Sequence, residues 1–226
     1  HSITLGWDQL SGDKVQFHLK WDSSDFVHIA DLKMDNKYKG MNNYFLNLTE
    51  LRPNQKYEFK IIDSEGSSEI YWFTTASDKH DDLAFIAGGD SRTRRDIRRN
   101  ANLMVSKLKP DAVLFNGDMT AQDIESEWIH WFEDWELTID STNHIIPIVA
   151  GRGNHEHSNK TLVKLFAVPH RKVYYDAQYG TDFLNLITLN SEIWKGGAQT
   201  WFLKKNLKEH KHFTWQLPQY HRPVRP

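Results

Sequence analysis

The first third of the chain alternates between apolar and polar residues in short runs, and clusters of turn-forming residues separate these runs. A two-residue period is typical of strands with one buried face, and several short strands of this kind predict a sandwich. We therefore expect an all-β domain over residues 1–76. Its predicted strands are Val15–Leu19, Phe26–Ile29, Tyr44–Leu48, Tyr57–Ile61 and Ile70–Phe73.

A polar and charged segment at residues 77–82 is the predicted linker, and the pattern after it changes. Strand-like apolar runs now alternate with helical periodicity through residues 83–226, which predicts a layered α/β domain. One predicted helix starts near Ile97, and two others cover Asp123–Ile139 and Ala198–Leu207. Predicted strands cover Phe183–Leu189 and Phe213–Tyr220.

The first predicted helix carries one apolar stripe and one basic stripe. The apolar stripe is the predicted packed face and the basic stripe the predicted solvated face. The apolar stripe consists of Ile97, Ala101, Met104, Val105 and Leu108, and the basic one of Arg94, Arg95, Arg98 and Arg99.

Three glycine-containing turns follow apolar runs that we expect to be buried strands. They bring Asp90, Asp118 and Asn154 to the ends of their strands, and the last predicted strand brings His221 to its own end. Ligands bind outside the carboxyl ends of strands in α/β sheets, and glycine permits the sharp turns that a close approach to a metal needs. The pattern predicts an oxygen and nitrogen site for one or two metal ions.

Composition excludes several classes of function. The chain has no cysteine, which rules out disulfides, thiolate ligands and a cysteine nucleophile. Its formal net charge of −2 makes nucleic acid an unlikely partner, and no run reaches the ~18 apolar residues of a membrane span. The oligomeric state stays open.

The ordered set of polar turns resembles a known family. Gly89-Asp90, Gly117-Asp118, Gly153-Asn154-His155-Glu156 and His221 are similar to the first four motif blocks of the calcineurin-like metallophosphoesterases. The segments Leu51-Arg52-Pro53-Asn54 and Phe73-Thr74-Thr75 give the β-domain a resemblance to fibronectin type III-like domains. Together the two parts look most like the purple acid phosphatase branch.

The resemblance implies two metal ions and the hydrolysis of phosphate esters. Asp90 would bind the first ion, Asp118 would bridge both, and Asn154 and His221 would bind the second. The ions would clamp the ester and lower the pKa of bound water, so that a metal-bound hydroxide attacks phosphorus. Carboxylate, amide and imidazole ligands favour Fe, Mn or Zn. Phosphomonoesters are the first expected substrates and phosphodiesters the second.

Four further residues receive expected roles. His155 resembles the histidine that protonates the leaving alkoxide or orients the phosphate, and Glu156 would orient His155 or its loop. Arg92 lies in the turn after Asp90, where a guanidinium can hold a phosphate oxygen, and His157 is a candidate substrate contact.

The chain also departs from the family. Arg92 stands where many members have a histidine, and Ala121 where the purple branch has a tyrosine. No Gly-His-x-His block follows His221 before Pro226, so we expect either that the α/β domain is truncated at its C-terminus or that its metal site is built differently. These departures leave an alternative from another class, a secreted non-catalytic binding protein with a degenerate phosphoesterase domain. A third reading is an esterase for another ester, such as a sulfate.

The first residue, His1, suggests a processed or engineered N-terminus. We therefore expect a secreted or periplasmic protein whose signal segment has been removed.

Overall fold

A computed structural model describes residues 1–79 and 82–223. Its N-terminal part contains strands in two antiparallel groups. One sheet has the order β1-β5-β4, and the other has β3-β2-β6-β7 with β8 also paired to β6. The strands are β1 (Ile3–Asp8), β2 (Gln16–Trp21), β3 (Val27–Asp31), β4 (Asn36–Tyr38), β5 (Met41–Leu48), β6 (Lys56–Asp63), β7 (Gly66–Ser67) and β8 (Tyr71–Thr74).

The two sheets enclose an apolar core to which both contribute. Leu5 and Leu48 come from the first sheet, and Phe17, Phe59 and Phe73 from the second. The rings of Phe17 and Phe59 stack with 5.4 Å between their centroids, and the ring of Phe73 lies tilted against Phe59 at 6.3 Å. The alternation of buried and exposed positions along β2 and β5 is what the sequence pattern predicts. The fibronectin type III-like class of this part stays a prediction.

The second part is a mixed α/β sandwich. One sheet has the order β11-β10-β9 with parallel strands, and the other has β12-β13-β14, with β13 and β14 parallel. Helices and strands follow in this order: β9 (Phe85–Gly88), α1 (Arg95–Leu108), β10 (Ala112–Phe115), α2 (Glu125–Trp135), a short 3-10 helix (Glu136–Thr138), β11 (Ile148–Ala150), α3 (Asn159–Phe166), β12 (Tyr175–Tyr179), β13 (Leu184–Thr188), α4 (Ala198–Glu209) and β14 (Trp215–Gln219).

Strand β10 lies in the middle of its sheet and is buried on both faces. Leu114 packs with Leu186 of the second sheet, while Phe115 packs with Trp128 and Trp131 of α2. Strand β9 is different, because it lies at the end of the sheet and its last residues are exposed. The expectation of a buried first strand was therefore wrong for the Ala87–Gly88 end.

The N-terminal strands and the α/β layers share packing. Met41 at the start of β5 belongs to the same apolar core as Trp128 and Leu162. Trp72 of β8 stacks on His144 with 4.0 Å between ring centroids, and the backbone of Trp72 hydrogen-bonds to Asn143 and Ile145. The N-terminal part is thus packed against the layer that carries the polar turns. Residues 80 and 81 of the predicted linker, and residues 224–226, lie outside the described residues.

Helix α1 follows the prediction only in part, since Val105 is buried in the core and Arg94 and Arg99 are exposed, as expected. Ile97, Met104 and Leu108 are 54%, 49% and 62% exposed, whereas Arg98 is only 5% exposed. The buried Asp134 of α2 is the physical reason, since it hydrogen-bonds Arg98 through both of the guanidinium nitrogens Nε and Nη2. A buried carboxylate needs a cation beside it, and this requirement outweighs the apolar stripe.

Candidate metal centre

Three loops at the carboxyl ends of β9, β10 and β11 bring the predicted ligands together. Asp90 and Asp118 both adopt left-handed backbone angles, with φ of 56° and 55°. Non-glycine residues rarely adopt this conformation, and when they do it is often at functional sites. Gly153 has no side chain where one is forbidden, because a Cβ atom there would overlap Asp118 Oδ1. The loops that carry Asp118 and Gly153 can therefore pack this closely only because residue 153 is a glycine.

The predicted ligands converge. Asp90, Asp118 and His221 each offer one ligand atom, and these atoms all lie within 4.8 Å of one another. The amide oxygen of Asn154 lies 3.1 Å from His221 Nε2, and Asp118 Oδ1 lies 3.5 Å from the same nitrogen. Asp118 is completely buried, whereas Asp90 is largely exposed at the rim. Three of the four predicted ligands thus form one cluster, and the fourth, Asn154, contacts it through His221.

The chemistry of the second predicted position fits a cation. His221 Nδ1 lies 2.9 Å from the Asn116 carbonyl oxygen, which only accepts, so Nδ1 carries the hydrogen. When the ring is neutral, Nε2 therefore carries a lone pair, and this nitrogen faces the Asn154 oxygen and the Asp118 carboxylate. A cation placed between these three acceptor atoms would remove the repulsion among them. Metal-binding histidines are commonly oriented by such a carbonyl contact.

At the first predicted metal position, between Asp90 and Asp118, the structure has an arginine side chain. Arg92 Nη2 donates to Asp90 Oδ1 and to Asp118 Oδ2, and both distances are 2.7 Å. Arg92 therefore lies in the site, as the sequence predicted, with its guanidinium shared between the two carboxylates. Its role as a substrate contact stays a prediction.

His155 lies beside the cluster with one ring nitrogen anchored. Its Nδ1 donates to the carbonyl oxygen of Ala121 at 2.6 Å, which leaves Nε2 3.9 Å from Asp118 Oδ2. Its backbone N–H donates to Asp118 Oδ1 at 2.8 Å. Ala121 thus contributes through its backbone carbonyl. The ring is held with its free nitrogen, Nε2, on the side of the Asp118 carboxylate.

Glu156 acts on loops instead of on the imidazole. Its fully buried carboxylate accepts the backbone N–H groups of Asp118, Met119 and Gly153 at 3.0, 2.7 and 2.7 Å. Burial raises the pKa of Glu156, and it outweighs the three donors, which act to lower that pKa. Its carboxylate joins the β10 loop to the β11 loop, which agrees with an orienting role for the loop that carries His155.

His157 is exposed, and its backbone N–H donates to Asp123 Oδ2 at 3.1 Å. It lies outside the cluster of Asp90, Asp118 and His221.

Asp123 is a residue that the sequence reading missed. It is 4% exposed with a φ of 53°, and it accepts from Trp128 Nε1 at 2.8 Å. Lys39 from the turn between β4 and β5 lies 3.5 Å from it. No sequence motif predicts the pairing of Lys39 with Asp123, because the two residues are 84 positions apart in the chain.

A second missed group is centred on Asp134. Arg95, Arg98 and Arg99 all donate to its buried carboxylate, at distances from 2.6 to 3.1 Å. Although burial acts to raise it, these donors lower the pKa of Asp134 to about 2. Arg98 also donates from Nη1 to the carbonyl oxygen of Arg92 at 2.6 Å. The group therefore connects the packing of α1 and α2 to the loop of the metal centre.

Comparisons with known proteins identify the family and similar folds. A family model described as calcineurin-like phosphoesterase matches residues 25–223. The purple acid phosphatase PPD1 from yellow lupin (Lupinus luteus) seeds superposes with a TM-score of 0.78 at 16% identity, covering 98% of this chain and 48% of its own. A structure of PhoD superposes with a TM-score of 0.69 at 12% identity, covering 90% of this chain and 54% of its own.

The chain thus spans about half the length of these solved structures. At such low identity the likeness shows the fold. No curated protein sequence matches the chain. In the described residues, none of the helices has the length and apolar character needed to cross a membrane.

Proposed function

Because the chain belongs to the calcineurin-like phosphoesterase family, we propose that it hydrolyses phosphate esters with the help of bound metal. Phosphomonoesters are the first proposed substrates, and phosphodiesters the second. The observation that carries the proposal is the meeting of Asp118, Asn154 and His221, whose acceptor atoms face one another at 3.1 and 3.5 Å. A family match alone says nothing about the distances between these side chains.

The family implies divalent metal ions, and the residues of the two predicted positions are unequal. Asp118, Asn154 and His221 would hold an ion, with the His221 ring already oriented by Asn116. A bound Fe, Mn or Zn ion supplies a Lewis acid that polarises the phosphate and lowers the pKa of a water molecule. The two-ion centre expected from the family also needs Asp90 and Asp118 to receive an ion where Arg92 now donates.

We propose His155 as the proton donor for the leaving alkoxide. Its Nδ1 is committed to the Ala121 carbonyl oxygen, so Nε2 is the atom that would hold and release a proton. General acid catalysis of this kind typically contributes 10²–10⁴-fold in rate. We expect His155→Ala to lower kcat by about that factor for an ester with a poor leaving group, and by much less for an aryl phosphate.

Arg92 and His157 are the proposed contacts to substrate. Arg92 holds a positive charge at the rim of the site, where its side chain is 40% exposed. A guanidinium has five N–H donors, and only those on Nη2 donate to the two carboxylates. His157 would approach the substrate from the loop that Asp123 anchors. The N-terminal β-part would serve as a packing platform, since Met41 and Trp72 tie it to the α/β layers.

The test is the hydrolysis of a chromogenic aryl phosphate after removal of metal and after addition of Mn²⁺, Fe²⁺ or Zn²⁺. We expect no activity with a chelator, recovery with metal, and a loss of two orders of magnitude or more in Asn154→Ala and His221→Ala. Matched controls are Asn100→Ala and His130→Ala, which change the same residue types at exposed helical positions. Full activity in both site variants would refute the assignment.

The alternative is a secreted binding protein with a degenerate phosphoesterase domain. One observation favours it, namely that Arg92 pairs with both carboxylates of the first predicted position. That reading predicts no hydrolysis of mono-, di- or sulfate esters with any of the three metals. Activity that follows metal addition would reject it.

A further inference from the structure

We infer that the guanidinium of Arg92 takes the place of one metal ion, so that the centre holds one ion and one built-in organic cation. The inference rests on the proposed function and revises its number of ions from two to one. The single ion belongs to Asp118, Asn154 and His221, and the fixed charge belongs to Asp90 and Asp118.

The first argument is how Arg92 shares its charge. A single nitrogen, Nη2, lies 2.7 Å from an oxygen of Asp90 and 2.7 Å from an oxygen of Asp118. This is the shared contact that a bridging cation would make, and it is a charge-assisted hydrogen bond on each side. A divalent ion at the same place would meet the guanidinium charge at close range, and the two would repel. The carboxylates cannot serve both.

The second argument is how Asp118 divides its two oxygens. Oδ2 accepts from Arg92, whereas Oδ1 faces His221 Nε2 at 3.5 Å and accepts the backbone N–H of His155. One oxygen is therefore directed to each position. The buried carboxylate stays a bridge, but it joins a guanidinium to the proposed ion.

The third argument is that Arg92 is held in place. Its backbone has a φ of 31°, its N–H donates to the Asp118 carbonyl oxygen at 3.3 Å, and its own carbonyl accepts from Arg98. Ser91 beside it donates to the Met119 carbonyl oxygen at 3.1 Å and accepts from Trp131 Nε1 at 3.2 Å. The loop is fastened from both sides, so the guanidinium is positioned before any ligand arrives.

The experiment counts the ions. The protein is stripped of metal, dialysed against excess Mn²⁺ and analysed by elemental mass spectrometry, and the bound Mn²⁺ is examined by electron paramagnetic resonance. We expect one Mn²⁺ per chain with the signal of an isolated ion. Two ions per chain with a magnetically coupled signal would overturn this inference alone. No bound ion would overturn both this inference and the proposed function, so the two failures are distinguishable.

A substitution tests the cause. Arg92→His removes the guanidinium and adds a metal-binding nitrogen, so we expect two ions per chain and a coupled signal. Arg92→Lys keeps a positive charge and is expected to stay at one ion. Arg94→His is the matched control, since Arg94 is 68% exposed and pairs only with Asp96 among the described ion pairs. A single ion in a folded Arg92→His variant would overturn the inference.

Discussion

The buried group around Asp134 gives the strongest prediction about stability. In the variant Asp134→Asn the carboxylate charge disappears while the side chain keeps nearly its shape. Arg98, 4% exposed, would then lie in the interior without its counter-ion, and Arg95 and Arg99 would lose their shared partner. The perturbation therefore tests whether this charge holds Arg98 of α1 in the interior.

Two estimates give the magnitude, and their ranges meet at about 3 kcal/mol. The pKa of Asp134 lies at about 2 against roughly 3.9 in an unfolded chain, and a difference of this size corresponds to about 2–3 kcal/mol at neutral pH. Leaving a buried charge unpaired usually costs about 3–5 kcal/mol. We expect Asp134→Asn to lower the free energy of unfolding by about 3–5 kcal/mol, because it adds the unpaired Arg98 to the lost carboxylate.

Urea unfolding at pH 7 measures this difference, and thermal unfolding should show a midpoint lower by roughly 6–20 °C. The matched control is Glu133→Gln, which removes a neighbouring carboxylate that also pairs with Arg95 but is 54% exposed. We expect that control to change the free energy of unfolding by less than about 0.5 kcal/mol. A loss below about 1 kcal/mol in Asp134→Asn would refute the reasoning.

Three other predictions concern pH, loop contact and the N-terminal turn. Because the folded pKa of Asp134 is lowered, its contribution is present above pH ~4 and is lost as the pH falls towards about 2, so the difference in unfolding free energy between wild type and Asp134→Asn should shrink over that range. Gly153→Ala should displace the Asp118 carboxylate and weaken Mn²⁺ binding in a titration, whereas Gly88→Ala, which meets nothing within 4 Å, should not. Lys39→Met should lower the free energy of unfolding, measured in urea, by about 1–3 kcal/mol, because it removes the cation beside buried Asp123. The control is Lys37→Met at an exposed position, and equal free energies of unfolding for the two variants would contradict this prediction.

The sequence located the ligand cluster because its signals are local. An apolar run followed by a glycine turn and a polar side chain predicts a strand end, and parallel strands place such ends on one edge. Asp90, Asp118 and Asn154 follow β9, β10 and β11, and His221 follows β14. An apolar run does not show whether its strand lies at the edge or in the middle of the sheet. Strand β9 lies at the edge and ends in exposed residues, whereas β10 lies in the middle and is completely buried.

The parts that failed depend on contacts between distant residues. The apolar stripe of α1 predicted the burial of Val105 correctly but not the exposure of Ile97 and Met104 or the burial of Arg98, because Arg98 donates to Asp134, 36 residues away. Similarly, the guanidinium of Arg92 reaches a carboxylate 26 residues away, and neither a motif nor a periodicity encodes that distance. The short helix α3 and strand β12 were absent from the prediction, because eight and five residues carry little periodic signal.

The most direct test of the account is the position of the metal itself. Crystals of the protein equilibrated with Zn²⁺ and measured on both sides of the zinc absorption edge would show where the ion binds. The account predicts one anomalous peak at about 2.0–2.2 Å from His221 Nε2 and from an oxygen of Asp118, with Asn154 beside it. A peak elsewhere, or none at these residues, would contradict the claim that this pocket is a metal centre.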